Sequence, residues 1–216
     1  MLRALQRYAS SSSGGTSSVR EEQCELCSVA VGPQHPHVAD LDERRLACAC
    51  QACAILFREP GARQGRYRTV PDRVLSDAGT RLVEEQWHRI EVPVRLAFFF
   101  FSSRADRWMA LYPGPAGTTE TELPTPAWND VSQGLPLVPE LTPDVEALLA
   151  WTKRGATEAE CFLVPITACY ELTAKLRRHW RGFDGGDDAR RELEQFFGDL
   201  RARARPLRRT RVEAPL

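Results

Sequence analysis

Lysine is nearly missing from this chain: Lys153 and Lys175 are the only two, and arginine carries the rest of the positive charge. Net charge is missing too, since 29 basic residues balance 29 acidic ones. A neutral chain does not grip a polyanion nonspecifically, which argues against nucleic-acid binding by the protein as a whole. Long apolar runs are absent. None exceeds six residues, the length of Leu96 to Phe101, against the roughly 20 that a membrane-spanning helix needs. No secretory leader is legible either: Leu2 to Ala9 is short, carries Arg3 and Arg7, and runs into Ser10 to Ser13 and Gly14-Gly15. The expectation is a cytoplasmic protein whose residues 1–20 form a disordered tail.

Recognisable catalytic constellations are scarce as well. Gly114-Pro115-Ala116-Gly117 and Gly182-Phe183-Asp184-Gly185-Gly186 do not follow either phosphate-binding glycine pattern. His88 and His179 have no cysteine or serine beside them in a nucleophile–base arrangement. Cys161 and Cys169 sit in apolar surroundings and are expected to be core residues.

What the chain does have is cysteine in pairs. Cys24-Glu-Leu-Cys27 and Cys50-Gln-Ala-Cys53 are separated by 22 residues. Each pair supplies two sulfurs from one tight turn, and the spacer is long enough to bring the pairs together around a tetrahedral metal ion. Zinc is the expected occupant and iron the alternative. A disulfide is not expected in a reducing compartment. His35 to Ala39 and Arg44 to Cys48 can pair as short strands about Asp40-Leu41-Asp42-Glu43. The second pair leads into Ala54 to Glu59, helix-forming material that stops at Pro60-Gly61. Knuckle, hairpin and a helix bearing the last ligands predict a treble clef, with a zinc ribbon as the alternative. A helix start also favours thiolates there. So small a module cannot bury enough apolar surface to fold without its metal.

Three more potential ligands lie between the pairs. Cys48 is expected to be a partly buried structural cysteine, with a replacement ligand or fifth thiolate as alternatives. His35 and His37 stand where a treble-clef nuclease of the HNH type keeps a catalytic histidine. That family also needs a histidine soon after the second knuckle, where this chain has Ala54. They are read as solvent-facing groups or as hydrogen-bonding neighbours of the metal ligands.

With 216 residues, 43% of them apolar, there is room for this module and one ordinary globular domain. The divisions expected are a tail at 1–20, a four-cysteine module at 21–60, a connector at 61–76, an α+β domain at 77–205 and a basic tail at 206–216. Within the large domain the pattern predicts a helix over Asp77 to His88 and a buried strand over Val92 to Ser102. A hairpin partner at Arg107 to Tyr112 and a third strand at Thr118 to Leu123 follow. Thr142-Pro143-Asp144 reads as a helix start leading into Val145, Leu148 and Leu149. A short strand at Cys161 to Pro165, a helix at Thr167 to Trp180, a break at Gly182 to Gly186 and a last helix at Asp187 to Arg203 complete the series. Strands first and helices later predict an α+β fold: an antiparallel-sheet domain with C-terminal helices behind the small N-terminal metal module. The proline-rich stretch Leu123 to Pro143 is expected on the surface. There Trp128, Leu135, Leu137 and Val138 either offer a docking surface or cover the sheet as a packed loop.

Several stretches together resemble a family of uncharacterised bacterial proteins of actinobacterial type. They are Cys24-Glu-Leu-Cys27, His35-Pro-His37, Arg45-Leu-Ala-Cys48-Ala-Cys50-Gln-Ala-Cys53, Tyr112-Pro-Gly-Pro-Ala-Gly117, Pro143 to Leu149, and Cys161-Phe-Leu-Val-Pro165 with Cys169-Tyr-Glu-Leu172. Members of that family are often encoded beside uptake nickel–iron hydrogenase genes. The resemblance therefore implies a non-enzymatic zinc-binding accessory or adaptor protein, with a hydrogenase subunit or maturation factor as partner. A rubredoxin-like iron electron carrier and a zinc-ribbon nucleic-acid-binding regulator are the alternatives. Rubredoxin knuckles continue into glycine and aromatic residues, whereas Ser28 and Ala54 follow these. A regulator is disfavoured by the acidic residues Glu21, Glu22, Glu25, Asp40, Asp42 and Glu43 around the site.

Overall fold

The computed structural model describes residues 22–59, 61, 65–114, 117–179 and 186–208. The chain divides into two compact units, Met1–Val70 and Pro71–Leu216. That division falls inside the segment expected as a connector. The fold is α+β with antiparallel sheets and C-terminal helices.

In the first unit, β1 (His37–Asp40) and β2 (Arg45–Cys48) form the expected hairpin, and α1 (Gln51–Leu56) follows at once. A strand not foreseen, β3 (Tyr67–Thr69), pairs with the other edge of β1. The hairpin turn is held by Asp40, whose Oδ1 accepts from the backbone N–H groups of Asp42 and Glu43. Its carboxylate also takes a two-pronged contact from Arg66, at 3.1 Å from Nε and 2.7 Å from Nη2. Burial raises this carboxyl, but Arg66 and the turn N–H groups outweigh it and hold the pKa below the usual carboxylate range. The apolar core here is small: Cys24, Val38, Ala49, Ala54 and Phe57, with Tyr67 packed alongside.

The second unit is built on a seven-stranded sheet in the order β10-β4-β9-β8-β5-β6-β7. Its strands are β4 (Leu75–Val83), β5 (Leu96–Ser102), β6 (Arg107–Gly114), β7 (Gly117–Glu122), β8 (Glu146–Trp151), β9 (Glu158–Pro165) and β10 (Arg205–Pro206). All neighbours are antiparallel except β10 and β4. The apolar strand expected in mid-sheet is there, as β5 between β8 and β6, and the expected hairpin and third strand flank it. On one face lie α2 (Glu84–Arg89) and α3 (Thr125–Ser132), over a core that includes Leu82, Trp87, Phe99, Leu148 and Leu163. Side chains of the alternate register meet α4 (Ile166–His179) and α5 (Gly186–Arg203): Trp151 and Phe162 stack on Phe197 at 4.6 and 6.0 Å between centroids. The expected break before α5 lies outside the described residues, apart from Gly186 at its end. Among the described residues, no helix is long and apolar enough to cross a membrane.

Two sequence expectations are corrected, and one left open between two readings is decided. The helix over Asp77 to His88 is instead β4 followed by the short α2. Thr80 and Leu82 are buried while Gly79, Arg81 and Val83 face out, which is period two and not helical. The helix after Thr142 is instead β8. Glu, Ala and Leu favour helix in isolation, but all six residues of β8 are buried with strand neighbours on both sides, and burial overrides propensity. The apparent helix-start signal serves a turn: Asp144 adopts φ 68° and its carboxylate accepts from Ser103 N–H at 2.8 Å. Lastly, Trp128, Leu135 and Leu137 are wholly buried and Val138 packs against them, so the proline-rich stretch covers the sheet and is no docking surface.

At the start of β8, the fully buried Glu146 carboxylate accepts from Arg73 Nε at 2.6 Å, Arg73 Nη2 at 2.8 Å and Thr142 N–H at 2.9 Å. Glu146→Gln keeps the size and loses the charge, so it should cost about 1.5–3 kcal/mol, the worth of a charged hydrogen bond. Chemical denaturation of the second unit checks this. An unchanged midpoint would mean that solvent replaces the contact.

Candidate metal centre

The first cysteine pair lies in a turn that the backbone closes tightly. Cys24 N–H donates to Val29 C=O and Ser28 N–H to Cys24 C=O, both at 2.8 Å, with Ser28 at φ 64°. Gln23 and Ala30 then pair across the base of the turn. Glu25 straps this turn to β2: its N–H donates to Cys48 C=O, and its Oε1 accepts from Cys48 N–H at 3.0 Å. The second pair straddles the start of α1. Cys50 is the N-cap, and its sulfur accepts from Cys53 N–H at 3.4 Å. The order knuckle, hairpin, helix is the one expected of a treble clef.

These elements bring together the sulfurs of Cys24, Cys27, Cys50 and Cys53, all within 4.8 Å of one another. Cys27 Sγ and Cys50 Sγ are 3.7 Å apart. Four thiolates at these separations could hold a metal ion, and their number closes a tetrahedral shell. The electrostatics agree. Burial alone would raise the Cys24 thiol, but the backbone N–H groups of Cys50, Leu26 and Cys27 bring it down to about 6. Cys53 is pushed up to about 12, first by burial and then by the neighbouring sulfurs. Without a cation, the Cys24 sulfur ionises first and its charge helps to keep Cys53 protonated. A divalent ion removes that conflict and displaces the protons.

Cys48 does not join this cluster. It stands directly opposite His37 across the hairpin. Pro36 C=O and Ala49 N–H make the adjacent ladder bond, and His37 C=O turns the other way to Val70 N–H. The His37–Cys48 pair is thus of the kind without ladder bonds, where opposed side chains lie closest. His35 lies just before β1, and its ring centroid is 4.8 Å from that of His37. The ligand atoms of His35, His37 and Cys48 all lie within 4.8 Å of one another. The solvent-facing reading fails for His35, whose side chain is only 7% exposed. Burial and then the neighbouring His35 lower the His37 pKa. Burial, with Glu25 and Glu22 nearby, raises the Cys48 thiol. Sequence reasoning named all three residues but did not join them. The signal was the His-x-His spacing at the mouth of a hairpin whose other strand ends at Cys48.

In the second unit, burial raises Cys161 to about 12 and pushes Cys169 well above the usual thiol range, so both stay thiols in the core. His88 is exposed 3.9 Å from Glu84, and His179 lies 3.7 Å from Glu192.

No curated protein and no solved structure matches this chain. A model for a family of unknown function, DUF5947, matches residues 23–204, and so takes in both cysteine pairs, the histidines and nearly all of the large sheet. The chain belongs to that family.

Proposed function

We propose that the protein is a non-enzymatic zinc-binding accessory or adaptor whose four-thiolate zinc is structural, and whose partner is a hydrogenase subunit or maturation factor. The observation that carries the zinc reading is the gathering of the Cys24, Cys27, Cys50 and Cys53 sulfurs from two turns into one cluster. Four thiolates leave an ion in that cluster no position for water, so it holds structure and performs no hydrolysis. The partner class rests on the resemblance drawn from the sequence, to a family whose members are often encoded beside uptake nickel–iron hydrogenase genes. A docking role also needs apolar surface that the core does not use. Leu26, Val29, Ile55 and Leu56 supply it around the two cysteine turns, with Leu56 68% exposed.

Three measurements test the reading. Purified protein should be colourless and contain zinc that is lost from Cys24→Ser. Red-brown protein with iron would favour the electron carrier instead. Tagged protein captured from its native host should bring down a hydrogenase component, Leu56→Glu should weaken that capture without loss of zinc, and a deletion strain should lose hydrogen uptake. Capture of no hydrogenase component, together with normal hydrogen uptake in the deletion strain, overturns the accessory role. Nucleic acid in the capture would favour the regulator.

A further inference from the structure

We propose that His35, His37 and Cys48 form a second zinc site, separate from the four-thiolate cluster, with two imidazole nitrogens and one thiolate as ligands and a fourth position open. The three ligand atoms are within 4.8 Å of one another, so small side-chain rotations bring them to the bond lengths of one tetrahedral ion. Cross-strand register holds two of them: His37 and Cys48 are opposed in the hairpin, and both backbone polar groups of Cys48 are tied to Glu25. Glu25 is itself anchored by Arg45 at 2.9 Å.

His35 supplies the independent observation. Its Nδ1 lies 2.8 Å from Gly32 C=O, and a carbonyl accepts only, so Nδ1 carries the proton. In the neutral ring, Nε2 is the nitrogen that offers a lone pair. That atom is buried and has no hydrogen-bond partner among the described residues. A buried polar nitrogen left unpaired is costly. A metal ion on Nε2 resolves the cost. A ligating histidine whose other nitrogen donates to a carbonyl, with a carboxylate near it, is the usual arrangement at metal sites, and Glu22 lies 3.6 Å from Nδ1.

The donor set also distinguishes the two centres chemically. Four thiolates around Zn²⁺ carry a net double negative charge and repel anions. Two neutral imidazoles and one thiolate leave a net single positive charge, so the open position accepts water or a small anion. Binding displaces the Cys48 thiol proton to solvent and changes no oxidation state.

Zinc titration of the full-length protein, followed by native mass spectrometry, tests the site. The wild type should take up two ions, and His35→Ala, His37→Ala and Cys48→Ala should each take up one. Cobalt(II) gives a readout that needs no variant. After the four-thiolate spectrum is complete, a second equivalent should add a weaker sulfur-to-cobalt band, and azide should shift that band alone. One ion in the wild type at saturating zinc, with no second cobalt band, overturns the proposal. So does a second ion retained in all three variants. Iron in the four-thiolate cluster would overturn the zinc reading of that cluster and leave this count of the second ion unaffected.

Discussion

Replacing Cys50 by serine is expected to release the tightly held ion and unfold the first unit while the second stays folded. Cys50 contributes twice: its sulfur belongs to the four-thiolate cluster, and it caps α1 by accepting from Cys53 N–H. The core that remains is a handful of small side chains around Val38 and Phe57. In modules of this size the binding of structural zinc contributes roughly 10–16 kcal/mol, which is the folding free energy itself. Serine is a poor ligand for zinc and recovers little of it. Metal analysis with a two-dimensional amide NMR spectrum reads the outcome: signals of residues 22–70 collapse to the unfolded region, and signals of the sheet domain keep their dispersion. A chelator added to the wild type should do the same. Retention of the tight ion and of the dispersed signals in Cys50→Ser would show that this sulfur is not a ligand.

Trp128→Ala is expected to destabilise the second unit by about 3–5 kcal/mol, the range for removing a large aromatic side chain from a core. Trp128 is wholly buried, with its ring centroid 5.0 Å from that of Phe99 and 5.1 Å from that of Trp108. The cavity would open between α3 and the sheet, where the rigid strands β5 and β6 cannot close it. Trp128→Phe is the informative companion. The indole N–H has no hydrogen-bond partner among the described residues, so phenylalanine gives up volume but no bond and should cost distinctly less. Denaturant midpoints of the two variants decide the matter. Near wild-type stability for Trp128→Ala would return the residue to the surface role that sequence reasoning had left open.

Both expectations concern side chains that the sequence singled out, but the two were legible to different degrees. The cysteine pairs identify themselves, because two sulfurs three residues apart can meet at one tight turn whatever surrounds them. The hairpin and helix between and after them are equally local, and the strands at Leu96–Ser102 and Arg107–Gly114 are marked by a long apolar run, a polar turn and an apolar return. In the large unit the C-terminal helices follow from 3.6-residue spacing of Leu172, Leu176, Phe196 and Leu200, all buried.

Where sequence reasoning failed, long-range contact had the deciding part. Glu146–Trp151 is helical by propensity and becomes a strand because β5 and β9 take up its backbone bonds while packing on both faces of the sheet buries all six residues. Trp128, Leu135 and Leu137 show no periodicity because a loop and short helices carry them onto the sheet, so their burial was invisible until the sheet existed. Strand order is of the same kind: β4 pairs with β9 and β10, which lie far along the chain. The sequence by itself determined the four-sulfur cluster, the hairpin and helix that carry it and the α+β class, since spacing and local alternation suffice for these. Only the tertiary structure decided that His35, His37 and Cys48 converge and that His35 Nε2 is buried without a partner. Cross-strand register and burial are properties of segments brought together, and no single segment carries them.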